Sequence, residues 1–179
     1  MTKIAITGSS GFLATHTINC LRLNNHNIIP ITRKSLPGMI TVKNYLDCPK
    51  ADILIHFAEE SNQRLVNQKS EKYIISSAKT VENLVNKFGK SLIYASSGVV
   101  YGDKGHVSFN IFDKTFASDN YSKSKIINEK IVLSAGGTIL RFSNIYGFGM
   151  SNTNVISDVI RQLPLGGPII IRNKFTIRD

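Results

Sequence analysis

The sequence predicts a doubly wound α/β fold built on a parallel sheet. Short runs rich in apolar and β-branched residues alternate with longer segments in which apolar residues recur with helical periodicity. Strands that alternate with helices in this way pair in parallel through right-handed crossovers. A turn with two glycines, Gly8 and Gly11, joins the first strand to the first helix, which is typical of this fold class.

The predicted elements follow one another in a regular order. The strands cover residues 3–7, 27–32, 39–45, 52–57, 91–95 and 138–142. The helices cover residues 12–23, 70–88, 121–134 and 155–163. Pro30 lies in the second strand, where the missing N–H donor disfavours a central position in a sheet. The connections on either side of the third strand are only about six residues long, so we expect no crossover helix there and a thinner edge of the sheet.

Composition narrows the class of protein. The chain has 179 residues, 42% of them apolar and 19% charged, which suits a globular domain with a core. No apolar run approaches the roughly 18 residues that cross a bilayer, so we predict no membrane partner. Cys20 and Cys48 are interpreted as packing residues in a reduced, cytoplasmic protein. The four histidines lack metal-ligand spacing, and His56 is interpreted as a hydrogen-bonded core residue, so no metal is expected.

The net charge of +10 can indicate nucleic-acid binding. The basic residues are nevertheless scattered along the chain, with no dense block and no interleaved aromatic residues. We therefore favour a basic surface that attracts anionic ligands, and we predict no nucleic-acid partner.

The turn after the first strand resembles a phosphate-binding loop in composition. Gly8 and Gly11 are followed by Ala14, a Gly-x-x-Gly-x-x-Ala spacing that differs from the standard Gly-x-Gly-x-x-Gly fingerprint. Glycines let the backbone turn tightly and approach a pyrophosphate, which the helix N-terminus attracts. A turn that merely connects strand and helix is the alternative. The position in the first βα unit favours phosphate binding.

The end of the second strand bears on the choice of dinucleotide. Folds of this class often place an acidic residue there to bind the ribose 2′-hydroxyl, whereas this chain has Thr32 and Arg33. A hydroxyl followed by a guanidinium suits a 2′-phosphate, which predicts NADP rather than NAD. A solvated surface arginine beside Lys34 is an equally acceptable interpretation.

A serine, a tyrosine and a lysine form a candidate catalytic group. Tyr121 and Lys125 are four residues apart in a predicted helix and therefore share a face. An ammonium near a phenol favours the phenolate, which suits acid–base catalysis. Ser97, at the end of a neighbouring strand, can bond the same substrate oxygen. An incidental Tyr–Lys pair is the alternative, but the three residues together favour hydride exchange between an alcohol or ketone and a nicotinamide.

These motifs resemble the extended short-chain dehydrogenase/reductases, the NAD(P)-dependent nucleotide-sugar epimerase/dehydratase family. The matching segments are ITGSSGFLATH, DILIHFAEE, SLIYASSGVVYGD, NYSKSKIINEK and LRFSNIYGFGM, and the ending NKFTIRD resembles a later family segment. The resemblance implies a Rossmann-like fold, NAD or NADP as cofactor and a nucleotide-sugar substrate. It implies that Tyr121 is the catalytic acid/base, that Lys125 orients the cofactor ribose and that Ser97 polarises the substrate oxygen. Ser97 is preferred to Ser96 because the family's hydroxyl precedes the tyrosine of Val-Tyr-Gly, here Tyr101, by four positions.

The resemblance also implies a set of contact residues. The cofactor would contact Gly8, Ser10, Gly11, Phe12, Leu13, Arg33, Asn44, Phe57, Ala58, Tyr121 and Lys125. The nucleotide sugar would contact Ser97 and Asn144.

Departures from the family pattern restrict the reaction. Gly98 and Val99 follow Ser97, where sugar dehydratases carry an acidic pair, and Val99 stands where 3,5-epimerising relatives place a cysteine. Elimination of water needs such an acid and base, so 4-epimerisation or keto-sugar reduction remains. Glu59 follows Ala58 where a small residue is common beside the cofactor. A non-catalytic NAD(P)-binding domain with a regulatory or partner-binding role is the alternative function.

Length sets the expected domain organisation. Family members have on the order of 300 residues. We therefore expect a dinucleotide-binding domain over residues 1–150 and only the start of a substrate-binding region over residues 151–179, in either a fragment or a naturally short member. The resemblance further implies a homodimer formed through the helices 70–88 and 121–134.

Overall fold

The computed structural model describes residues 1–69, 71–103, 105, 108–152 and 155–171. The strands are β1 (Lys3–Thr7), β2 (Asn27–Thr32), β3 (Ile40–Thr41), β4 (Ile53–His56), β5 (Leu92–Ser97) and β6 (Thr138–Phe142). The helices are α1 (Phe12–Leu23), α2 (Gln63–Gln68), α3 (Glu71–Phe88), α4 (Asn120–Ser134) and α5 (Val155–Gln162). The predicted helix start at Ser70, the segment NKFTIRD and His106 lie outside the described residues.

The six strands form one sheet in the order β3-β2-β1-β4-β5-β6, and every neighbouring pair is parallel. This is the strand order of a Rossmann fold, so the predicted fold class is confirmed. The order reverses between β1 and β4, and ligands of such sheets bind outside the carboxyl ends of the strands at that point. A ligand site is therefore expected at the loops after β1 and β4.

The chain comprises two compact units, Met1–Phe142 and Ser143–Asp179. The first unit contains the whole sheet together with α1 to α4, and the second contains α5. Within the described residues, no helix combines the length and the apolar character that crossing a membrane requires.

Helices cover both faces of the sheet in the first unit. One core joins α1 to the sheet through Ala14, Ile18, Ile4, Ile6 and Ile55. The other core joins α3 and α4 to the opposite face, and its buried members include Val81, Leu84, Val132, Ala5, Leu54, Leu92 and Tyr94. Because successive side chains of a strand point to opposite faces, Ala5 belongs to one core while Ile4 and Ile6 belong to the other. This sandwich holds the carboxyl ends of the central strands in place.

The β3 edge is thinner than the rest of the sheet, as predicted, but β3 itself is much shorter than the predicted strand 39–45. Only Ile40 and Thr41 pair with β2. The strand ends because the Asn44 Oδ1 accepts a hydrogen bond from the backbone N–H of Leu46 at 2.8 Å and starts a short 3₁₀ helix, Tyr45–Asp47. Since β3 reaches only the last residues of β2, Pro30 lies where β2 is an edge strand, a position that tolerates the missing donor.

One element was missed, and one expectation needs correction. Helix α2 was not predicted, because its six residues are too few to show helical periodicity. Cys48 is buried, as expected of a packing residue, but Cys20 lies on the exposed side of α1.

Candidate cofactor and catalytic site

The turn after β1 meets the loop after β4 at the reversal of strand order. Gly8 has a φ of +71°, and a Cβ atom there would lie 3.0 Å from the Cα and N atoms of Ala58. The backbone N–H of Gly11 donates to the Gly8 carbonyl at 2.8 Å and closes the turn. Only glycine combines this backbone conformation with so close an approach of two chain segments.

The start of α1 presents backbone N–H groups that suit a pyrophosphate. Gly11 is the N-cap and provides no side chain to occupy those donors, and the first turn of α1 contains no acidic residue. Ser10 is exposed, while Phe12 and Leu13 are half-buried in the first turn. This glycine cradle and open helix terminus fit the phosphates of a dinucleotide.

Replacing Gly8 by alanine is expected to lower the free energy of unfolding by about 2 kcal/mol, from the left-handed backbone and the contact with Ala58 together. Gly38 is a matched control, since its φ is +70° but nothing lies within 4 Å of the Cβ position. Gly38→Ala should therefore lower the free energy of unfolding by only about 1 kcal/mol. Urea unfolding measures both variants, and equal losses would contradict a tight contact at Gly8.

A cavity of about 530 Å³ extends from Ala58 along the carboxyl edge of the sheet. Its lining residues are Arg33, Lys43, Asn44, Tyr45, His56, Ala58, Glu59, Glu60, Lys69, Tyr73, Ser76, Ser77 and Thr80. Three predicted cofactor residues, Arg33, Asn44 and Ala58, thus share one cleft. Arg33 stacks over the Tyr45 ring, with its guanidinium carbon 5.6 Å from the ring centroid. Phe57, directly before Ala58, lies against Phe142 with their ring centroids 6.3 Å apart.

Tyr121 and Lys125 lie on one face of α4, as predicted. The Lys125 Nζ atom is 5.8 Å from the centroid of the Tyr121 ring, and both side chains are buried. Lys125 also donates to the Ala95 carbonyl at 2.9 Å, which ties α4 to the end of β5. Ser97 is the last residue of β5, and its Oγ accepts from the Val99 N–H at 3.4 Å. Asn144 belongs to the second unit and is exposed there.

Helix α2 holds the start of α4 and thereby Tyr121. The Asn67 Oδ1 accepts from the Tyr121 backbone N–H at 2.9 Å, and its Nδ2 donates to Asp119 at 2.9 Å. Gln63 donates to the same Asp119 oxygen at 2.6 Å, and Asp119 forms a capping box with Ser122. Partial burial would raise the pKa of Asp119, but these hydrogen bonds lower the pKa to about 2. The cap is therefore charged and fully bonded at neutral pH.

His56 ends β4 beneath the cleft. Its Nδ1 shares a hydrogen bond of 2.8 Å with the Thr7 hydroxyl, whereas its buried Nε2 has no hydrogen-bond partner among the described residues. The prediction of a hydrogen-bonded core histidine is therefore correct for Nδ1 but not for Nε2. Burial, more than any nearby charge, lowers the pKa of His56 to about 4, so the imidazole is neutral at pH 7.

A family model described as the NAD dependent epimerase/dehydratase family matches residues 4–178. The chain belongs to this family.

The chain is also similar to a curated protein and to solved structures. Spore coat polysaccharide biosynthesis protein SpsK of Bacillus subtilis (strain 168) is 24% identical over 159 residues, which are 85% of this chain and 56% of SpsK. The structure of MoeE5 in complex with UDP-glucose and NAD has a TM-score of 0.77 and 23% identity, and the match covers 89% of this chain and 60% of MoeE5. UDP-N-acetylglucosamine 4-epimerase from Bacillus cereus has a TM-score of 0.79 and 22% identity, with 94% and 63% covered. This epimerase/dehydratase chain therefore spans about three-fifths of the length of these relatives.

Sequence reasoning missed several polar residues of this candidate site. Asn128, Ser77 and Tyr94 surround Glu59, and Asn67 and Gln63 clamp α4. One signal was available, because Asn128 lies three residues after Lys125 and so shares its helix face. The sequence marks Glu59 only as a departure from the family pattern, and its separation of 66 residues from Lys125 gives no sign of their ion pair.

Proposed function

We propose that this chain is the dinucleotide-binding part of an NAD(P)-dependent enzyme that epimerises or reduces a nucleotide-linked sugar at C4. The observation that carries the proposal is the Tyr121–Lys125 pair on one face of α4, bonded to the end of β5. The glycine cradle at Gly8 and Ala58 supports it with a place for the dinucleotide phosphates. Membership of the NAD dependent epimerase/dehydratase family supports the reaction class.

The residues of this chain transfer the proton of the reaction and orient the sugar oxygen. A bound nicotinamide supplies the hydride acceptor and donor. Tyr121 takes the proton from the sugar hydroxyl when that carbon is oxidised and returns a proton when it is reduced. The Lys125 ammonium lies beside the Tyr121 ring and holds the cofactor ribose through its N–H donors. Ser97 donates a hydrogen bond to the same sugar oxygen and orients it.

Epimerisation or reduction is favoured over dehydration. Gly98 and Val99 follow Ser97 and offer neither an acid nor a base. Removal of water from the sugar needs both. The B. cereus neighbour, named as a UDP-N-acetylglucosamine 4-epimerase, supports chemistry at C4.

The test is a panel of UDP-, dTDP- and GDP-linked sugars, assayed with NAD and NADP on the protein at its full natural length. We expect conversion of at least one sugar with inversion or reduction at C4. Elimination of water, or transformation at another carbon, would contradict the proposal.

A non-catalytic NAD(P)-binding domain is the second candidate, and one observation favours it. The Lys125 ammonium is already bonded to the Glu59 carboxylate at 2.5 Å, so part of its donor capacity is occupied. Such a domain would bind a dinucleotide and leave the whole sugar panel unchanged. Cofactor binding measured beside the panel separates the two candidates.

Arg33→Ala is expected to weaken binding of NADP by about tenfold to a hundredfold, because a charge-assisted bond to the 2′-phosphate is lost. Binding of NAD should change little. Lys34→Ala is the control, since Lys34 is the neighbouring exposed cation and does not line the cleft. Calorimetry with both dinucleotides measures the effect, and equal weakening of NAD and NADP in Arg33→Ala would contradict a 2′-phosphate role.

Self-association through α3 and α4 belongs to the same proposal. The two helices pack side by side, and Ile75 and Leu133 on them are 67% and 54% exposed. Exposed apolar side chains of this kind suit a helical dimer interface. Light scattering tests it, and a monomer at high concentration would contradict it. A cytoplasmic location stays a prediction.

A further inference from the structure

Glu59 is the centre of a buried polar cluster in the wall of the cleft. Its Oε1 accepts from the Ser77 hydroxyl at 2.9 Å and from the Asn128 amide at 2.7 Å. Its Oε2 accepts from the Tyr94 hydroxyl at 2.6 Å and from the Lys125 ammonium at 2.5 Å. Four side chains from α3, β5 and α4 thus converge on a single carboxylate. A carboxylate with two donors on each oxygen is held in one position.

The cluster stabilises Glu59 in its charged form. Burial would raise the pKa of Glu59, but the Lys125 ammonium, aided by the Tyr94 hydrogen bond, holds the pKa below its usual value. Burial and the nearby Glu59 carboxylate raise the pKa of Tyr94. The Tyr94 hydroxyl therefore stays protonated and donates a hydrogen bond to Glu59. The Glu59 and Lys125 side chains are only 10% and 8% exposed, so solvent screens this pair weakly.

The pair changes what Lys125 presents to a ligand. An ammonium has three N–H donors. Lys125 directs two of them to Glu59 and Ala95, which leaves one for a further partner. The pair is also close to neutral as a unit. The site therefore offers a ligand a hydrogen-bond donor without an unbalanced positive charge.

We propose that Glu59 is a positioning residue for Lys125 and that its charge sets the preference of the site for the oxidised over the reduced dinucleotide. This inference rests on the proposed function, which places the nicotinamide ribose at Lys125. The oxidised nicotinamide ring carries a positive charge, and the reduced ring is neutral. An unbalanced ammonium would repel only the oxidised form, and Glu59 removes that repulsion.

The test compares the dissociation constants of oxidised and reduced forms of whichever dinucleotide binds, measured by calorimetry on this chain. Glu59→Gln leaves the Lys125 ammonium without a balancing charge. The dissociation constant of the oxidised form, divided by that of the reduced form, should therefore rise about tenfold. Lys125→Gln should lower the ratio by a similar factor, because it leaves a negative charge. The double variant is neutral again, and its ratio should lie within about threefold of the original. A purely structural loss weakens both forms alike and cancels in the ratio.

Glu71→Gln is the matched control. Glu71 also pairs with a lysine of α4, with its Oε1 3.2 Å from the Lys123 Nζ, but its side chain is 77% exposed and does not line the cleft, so Glu71→Gln should change the ratio less than about threefold. The double variant buries no unpaired charge. If one single variant fails to fold, the other still tests the proposal, because each single variant is expected to shift the ratio about tenfold. An unchanged ratio in whichever single variant folds would overturn the role of Glu59 while leaving the proposed function intact. Failure of the original chain to bind either redox form would contradict the proposed function, and this inference with it.

Discussion

Tyr121→Phe is expected to lower turnover by about 10²–10⁴-fold while leaving dinucleotide affinity nearly unchanged. In the proposed mechanism the phenol oxygen of Tyr121 accepts and returns the proton of the sugar hydroxyl, and the variant removes only that oxygen while it keeps the ring and the helix. The expected signature is therefore a loss of kcat with little change in the cofactor dissociation constant. Steady-state kinetics on the full-length protein and calorimetry on the same variant measure the two quantities.

Tyr101→Phe is the matched control for this prediction. It removes one phenolic hydroxyl, as Tyr121→Phe does, but that hydroxyl accepts a hydrogen bond from Arg141 at 2.9 Å. We expect Tyr101→Phe to reduce stability by about 1 kcal/mol and to keep most of the turnover. Full activity in Tyr121→Phe, or equal losses of turnover in both variants, would contradict the assignment of Tyr121.

The position of Tyr121 depends on contacts that the sequence does not reveal. Its backbone N–H is bonded to Asn67, and Asp119 caps the helix with help from Gln63. These residues lie more than fifty positions apart in the chain. A displacement of about 1 Å can lower a rate about a hundredfold, so in the proposed mechanism these contacts would keep Tyr121 within reach of the sugar oxygen. Periodicity within one helix cannot predict a contact of this kind.

The parts of the fold that could be predicted are those encoded by local pattern. Strand β1, helix α1 and strand β2 have the predicted bounds, because buried parallel strands form short apolar runs and α1 follows a glycine turn. The strand β3 could not be predicted correctly, because the alternation of residues 39–45 competes with the cap that Asn44 provides to a 3₁₀ turn. Side-chain capping overrode β propensity there.

The candidate site shows the same division. Tyr121 and Lys125 share a helix face by spacing alone, and that prediction is confirmed. The pairing of Lys125 with Glu59 depends on packing between the loop after β4 and α4, and no spacing rule links residues so far apart. Chemistry carried by one element is visible in the sequence, whereas chemistry assembled from several elements requires the structure.

A second buried ion pair, between Glu129 and Arg141, joins α4 to β6. The Arg141 Nε donates to the Glu129 Oε1 at 2.9 Å, and its Nη2 donates to Oε2 at 2.7 Å. The guanidinium also packs over the Tyr101 ring, with its carbon 4.7 Å from the centroid. Hydrogen bonding to Glu129, above all, raises the pKa of Arg141, so the guanidinium stays charged. The Glu129 side chain is only 4% exposed, so its carboxylate depends on Arg141 rather than on water.

Arg141→Ala is expected to lower the free energy of unfolding by about 3 kcal/mol, since it leaves the Glu129 carboxylate buried without a partner. Arg141→Lys should lower the free energy of unfolding by about half as much, because a lysine keeps the charge but cannot form the bidentate hydrogen bonds. Lys123→Ala is the control on the same helix: Lys123 pairs with Glu71 at 3.2 Å in solvent, so its removal should lose less than about 1 kcal/mol. Urea unfolding measures all three.

If Glu129→Met is combined with Arg141→Met, much of the lost free energy of unfolding should be recovered, because no buried charge then remains unpaired. A loss in Arg141→Ala no larger than that in Lys123→Ala would show that water reaches Glu129 and that the pair does not stabilise the junction of α4 with β6.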